Sequence, residues 1–167
     1  VTDEHREQIE TSIANIRCII SALSFMYLYM FWLLIIVLFV WITDTQLGDV
    51  SNLFPDKDVQ FWCKSLYLLI TLLYLAIAIY GLKGANNKDI SAFNLVFVCL
   101  ITKFAFEFLV LFNLVFINPI HKSNSLSKQR ELNFFLGTTT FPMLFDIIMM
   151  VNVRDLGSLI IGKDKEE

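Results

Sequence analysis

Lys103, Glu107 and Asp146 are the residues whose types and spacing suggest chemistry, because each lies inside an otherwise apolar run. Lys103 and Glu107 stand one helical turn apart on one face of a helix through 90–117, and Asp146 falls within a second run at 132–153. If both runs cross a bilayer, each charge near mid-depth is disfavoured by roughly 2.5 to 3.5 kcal/mol, so the three should turn inward and pair. Counting from the midpoints of antiparallel helices puts Glu107 about 6 Å to one side of the membrane centre and Asp146 about 6 Å to the other. Lys103 falls between them. A Lys103 to Asp146 contact is therefore expected, with Thr138 near the level of Glu107.

Two carboxylates against one ammonium leave a surplus negative charge, which burial relieves if one acid keeps a proton. Such a triad can fix helix register, or it can line a proton or cation path. Register is the expected role. Close by, Pro142 removes a backbone donor, frees the Thr138 carbonyl and favours a kink in the fourth run. Lipid cannot satisfy that carbonyl, so Thr138, Thr139 and Pro142 should face protein.

Other constellations are weaker. Asp44, Asp49, Asp56 and Asp58 lack the alternating ligands and turn glycine of a calcium loop. His5 and His121 form no spaced ligand pair, and no convergent nucleophile, acid and base set is visible. Cys18, Cys63 and Cys99 are far apart without a C-x-x-C pair and are expected to be free, buried thiols. No catalytic residue, metal site or cofactor is expected, and the chain is read as a non-enzyme. A net charge of −3 and pI near 5.4 argue against a nucleic-acid partner, since phosphate binding needs a basic face.

The elements that must position the charges follow from hydropathy. Hydrophobic residues make up 56% of the chain, mean hydropathy is +0.63, and the charges collect between four long apolar stretches. That is a membrane layout. The expected spans are 18–42, 62–82, 90–117 and 132–153, each near or above the roughly 20 residues a helix needs to cross hydrocarbon. The third, at 1.5 Å per residue, reaches about 42 Å and must tilt or protrude. Trp41 and Trp62 suit interfacial anchoring. Gly81 and Gly84 favour a stop after the second span, Asp89 can cap the third, and the short 83–89 connection makes those two spans antiparallel neighbours.

Ahead of the first span, 1–17 reads as a polar interfacial helix with Thr2 as its cap and Ile9, Ile13 and Ile16 on one side. No leader with a cleavage site precedes the first span, which is expected to stay in the mature protein. Residues 154–167 read as a polar tail, in which Lys163 and Lys165 fit a K-x-K-x-x retrieval signal of the endoplasmic reticulum. The mitochondrial inner membrane is the rival address. Seven Lys/Arg fall on the side of both termini and five on the other, a slight preference for cytosolic termini.

The fold class read from the sequence is therefore all-α, an integral membrane four-helix bundle with an N-terminal interfacial helix and a Pro-kinked fourth span. Its expected partners are the lipid bilayer and other membrane subunits. The expected function is an accessory or scaffold subunit of a larger membrane complex, and the alternative is a small proton, cation or solute transporter or channel component using the same three charges.

Overall fold

The computed structural model describes residues 2–42, 57–112 and 126–166 and is all-α, with four helices: α1 (Asp3–Ile42), α2 (Lys57–Asn87), α3 (Ile90–Phe112) and α4 (Leu126–Glu166). Among the described residues, three helices are long and apolar enough to cross a membrane: Asp3–Phe39, Ser65–Asn87 and Ile90–Phe112. The middle of α4 is apolar too, but polar residues flank it at both ends.

No glycine or proline interrupts 3–42, and the polar residues from Asp3 to Arg17 continue into the first apolar run without a break as one helix, α1. The Thr2 backbone carbonyl accepts the first helical bonds, from the His5 and Arg6 amides, and Asp3 and Glu4 sit at the positive end of the helix. Ile13 is buried in the core, with Ile9 and Ile16 packed beside it.

The second helix runs five residues past the expected 82, through Gly81 and Gly84, so these glycines do not end it. They are closeness devices instead. A Cβ on Gly84 would lie 2.7 Å from Phe93 Cε1, and one on Gly81 would collide with Ser24 Oγ and sit 3.1 Å from Met149 Cε. The roughly 1 kcal/mol that each glycine forfeits in a helix is thereby exchanged for tight approach of α1, α3 and α4. The turn is only Lys88 and Asp89. Lys88 takes the left-handed conformation (φ 53°) that ends a helix, and Asp89 Oδ1 accepts the amides of Ser91 (3.0 Å) and Ala92 (3.4 Å) to start α3.

Each helix touches two principal neighbours in the ring α1–α2–α3–α4–α1. Direction follows from which residues meet. Arg17 reaches Ala85 while the Tyr27 ring meets that of Tyr74, so α2 runs against α1. Gly84 faces Phe93 while Tyr74 meets Glu107, so α3 runs against α2. Lys163 meets Glu10 while Asp146 meets Tyr27, so α4 runs against α1. The result is an up-down-up-down bundle.

Inward positions repeat every seven residues. Ile13, Ile20, Ser24, Tyr27 and Leu38 lie on this seam in α1, Val96, Leu100, Lys103, Glu107 and Val110 in α3, and Asp146, Met149, Val153, Leu156 and Ile160 in α4. Alternating steps of three and four give near-parallel packing of the coiled-coil kind. The same period explains why residues from 154 onward, expected as a tail, are helical as far as Glu166: Leu156 and Ile160 extend the seam, and Lys163 Nζ lies 3.1 Å from Glu10 Oε1. At 1.5 Å per residue α1 and α4 are about 60 Å long against about 35 Å for α3, so their terminal ends project past the α2–α3 turn.

Several expectations fall outside the described residues: the 43–56 part of the acidic loop with Asp44, Asp49 and Asp56, the 113–117 end of the third span, and His121. The Trp41 and Cys63 side chains lie outside them as well. Cys18, expected buried, is exposed on the outer face of α1, one position past Arg17 and off the seam, while Cys99 is half-buried.

The glycine contacts make a direct prediction. Gly84→Ala should destabilise the chain by about 1 to 3 kcal/mol as α2 and α3 are forced apart. Gly157→Ala, where nothing lies within 4 Å of the added methyl, should stabilise it by up to about 1 kcal/mol. Unfolding of both variants in mild detergent checks the contrast.

Candidate functional site: a buried lysine between two carboxylates

The seam of α3 carries Lys103 and Glu107 on successive turns, and that of α4 brings Asp146 to the same layer. Lys103 Nζ lies 2.8 Å from Glu107 Oε1 and 2.6 Å from Asp146 Oδ2. Lys103 and Asp146 are wholly buried and Glu107 is nearly so. The ammonium thus bridges one acid on its own helix and one across the interface. This is the one ion pair among the described residues whose two side chains are both completely covered.

Two tyrosines complete the layer. Tyr27 of α1 donates to Asp146 Oδ1 at 2.5 Å, and Tyr74 of α2 donates to Glu107 Oε1 at 3.3 Å. Their rings are 5.5 Å apart, and Lys103 Nζ lies 4.3 Å from the Tyr74 ring centre and 5.9 Å from that of Tyr27. The ammonium therefore meets two carboxyl groups and two aromatic faces. All four helices contribute to the one layer.

Satisfaction is uneven. Both Asp146 oxygens accept a hydrogen bond, Oδ1 from Tyr27 and Oδ2 from Lys103. Glu107 Oε1 receives both the ammonium and the Tyr74 hydroxyl, while Oε2 is buried with no partner in the protein. One turn before Tyr27 on the α1 seam, Ser24 Oγ is also buried without a partner, against Gly81.

The tyrosines are what sequence reading missed. Aromatic residues in apolar runs are ordinarily lipid or core contacts, and nothing in one helix alone marks Tyr27. The available signal was the period: stepping by seven from Ile13 and Ile20 lands on Tyr27, and Ser24 lies between. The other expected site residues are elsewhere. Pro142 is buried within the unbroken α4 helix, one turn before Asp146. The Thr138 and Thr139 side chains lie outside the described residues. Lys163 is paired with Glu10 and Lys165 is exposed, both in the last turns of α4 and remote from the triad. No group of three or more His, Cys, Asp or Glu that could hold a metal occurs among the described residues.

Mutation series should expose the charge balance. Lys103→Met leaves two buried acids without their cation and should destabilise by about 3 to 5 kcal/mol, whereas replacing all three charges together by apolar residues of similar volume should cost much less. Tyr27→Phe leaves the buried Asp146 Oδ1 without its donor and should cost about 1 to 3 kcal/mol. Detergent unfolding midpoints of the single and triple variants test both statements. Comparison with known proteins adds no analogy to this geometry: no family model, curated protein or solved structure matches the chain.

Proposed function

We propose that this chain is a non-enzymatic four-pass membrane protein that serves as an accessory or scaffold subunit of a larger membrane complex, with the Lys103, Glu107 and Asp146 layer fixing how its helices pack. The observation that carries the reading is the inversion of polarity. Lys103 and Asp146 are 0% exposed while Trp62 is 71% exposed, and Phe25, Trp32, Phe39 and Phe141 also point outward. Water would reward the opposite arrangement; hydrocarbon rewards this one.

On this reading the fourth pass is the middle of α4. Its Asp146 faces inward, while Leu144, Ile147, Ile148 and Val151 face out. Pro142 gives that pass its bend, next to Thr138 and Thr139. The start of α1 lies at the membrane interface and continues into the cytosol together with the end of α4. The slight excess of Lys/Arg on the side of the termini supports that orientation. The Lys163 and Lys165 spacing favours the endoplasmic reticulum or another endomembrane over the mitochondrial inner membrane.

The subunit role is supported by what the charged layer is built for. Its donors and acceptors are directed at one another across all four helices, and the broad aromatic outer surface is available to lipid and to neighbouring subunits. A transport role for the same residues is the rival. The complete burial of Lys103 and Asp146 weighs against it.

Extraction in mild detergent separates the two. The accessory reading expects migration with a larger assembly, whose other chains copurify, rather than at the size of a 19.3 kDa chain or its simple multiples. In liposomes it expects no proton or cation flux attributable to the purified chain. Migration as a lone homo-oligomer, with flux that vanishes in Glu107→Gln or Asp146→Asn, would replace it with the transporter reading.

A further inference from the structure

Which of the two acids holds the surplus proton follows from their hydrogen bonds. Asp146 receives a donor on each oxygen, Tyr27 on Oδ1 and Lys103 on Oδ2, so a proton on either would weaken that oxygen as an acceptor for the donor it already has. Glu107 receives both of its donors on Oε1, leaving Oε2 buried and unpartnered. A carboxyl protonated on Oε2 keeps both of those contacts and becomes a donor in need of an acceptor.

An acceptor has room beside it. Glu107 forms part of the wall of a cavity of about 20 Å³ between α1, α2 and α3, whose remaining wall includes Tyr67, Tyr74, Met30, Leu34 and Val110. One water requires roughly 10 to 15 Å³ and polar partners; Glu107, Tyr67 and Tyr74 are the polar residues of the wall, and a small rotation of the carboxyl would turn the covered Oε2 toward this space. The cavity lies on the side of the charged layer away from both termini, as Met30 and Leu34 follow Tyr27 and Val110 follows Glu107. The ionisable groups closest to Glu107 are Lys103 on its own helix, Tyr74 and Tyr67 on α2, Tyr27 on α1 and Asp146 on α4. Lys103 is the one cation among them.

We propose that Glu107 is a proton-binding site, protonated on Oε2 and hydrogen-bonded to a single water in this cavity, through which the proton exchanges with solvent, while Asp146 keeps its contacts to Tyr27 and Lys103. In the exchange the Oε2 proton passes to the water oxygen while that water gives one of its own protons to solvent water, and the reverse transfer returns a proton to the carboxylate, so that bulk water is both acceptor and donor. This assignment is independent of whether the chain is a subunit or acts alone.

Infrared spectroscopy of the full chain in lipid nanodiscs tests it. The wild type should show a protonated-carboxyl C=O band that moves to lower frequency in D₂O. That band should shift again when glutamate, but not aspartate, carries a ¹³C carboxyl, and it should be absent in Glu107→Gln. The proposal is overturned if the wild type has no such band, if the band follows the aspartate label, if it survives in Glu107→Gln, or if it does not move in D₂O. The isotope arms use the unmodified sequence, so they decide the matter even if the variant fails to fold.

Discussion

A lysine ammonium with no access to water must find its counter-charges within the protein, and the bundle is arranged so that it does. Lys103 Nζ lies within 3 Å of an oxygen on each of two acids. The cross-helix contact to Asp146 fixes α3 and α4 in depth and in rotation, because a slip of one residue would turn a charged side chain about 100° away from its partner. Tyr27 ties α1 to the same carboxylate, and Tyr74 ties α2 to the other. Four helices with otherwise interchangeable apolar contacts thereby acquire one register.

The remaining structure keeps this layer covered and its helices close. Gly81 lets α1 and α4 approach α2 near the tyrosines, and Gly84 seats Phe93. Beyond the layer, toward the termini, α1 and α4 continue together through Ile13, Leu156 and Ile160 to the Glu10–Lys163 pair. That second pair is partly exposed and contributes little, up to about 1 kcal/mol. The ion pairs among the described residues thus differ in kind: the two that Lys103 makes are buried at the centre of the bundle, whereas the Glu10–Lys163 pair lies partly exposed on an overhang.

The charged centre was legible in the sequence because Lys103, Glu107 and Asp146 violate the apolar pattern around them, and the cost of burying charge dictates where such residues point. Helical class and antiparallel neighbours were legible for a related reason, since apolar length and a short turn leave few alternatives. Boundaries were not. Gly81 and Gly84 carry the composition of a helix stop, but tertiary closeness overrides it, and the polar ends at 3–17 and 154–166 stay helical because their sparse Ile and Leu residues keep the seven-residue period. Tyr27 and Tyr74 were hidden among other aromatics, since a hydroxyl that serves a charge on another helix leaves no mark within its own.

The direct pair of Lys103 with Asp146 joins α3 to α4 and can be measured in lipid. Solid-state NMR on the chain in bilayers, measuring the dipolar coupling between lysine ¹⁵Nζ and aspartate ¹³Cγ, tests it most directly. A strong coupling is expected, set by an Nζ–Oδ2 separation of 2.6 Å, that disappears in Asp146→Asn. No lysine to aspartate coupling, or one that persists in Asp146→Asn, would contradict it.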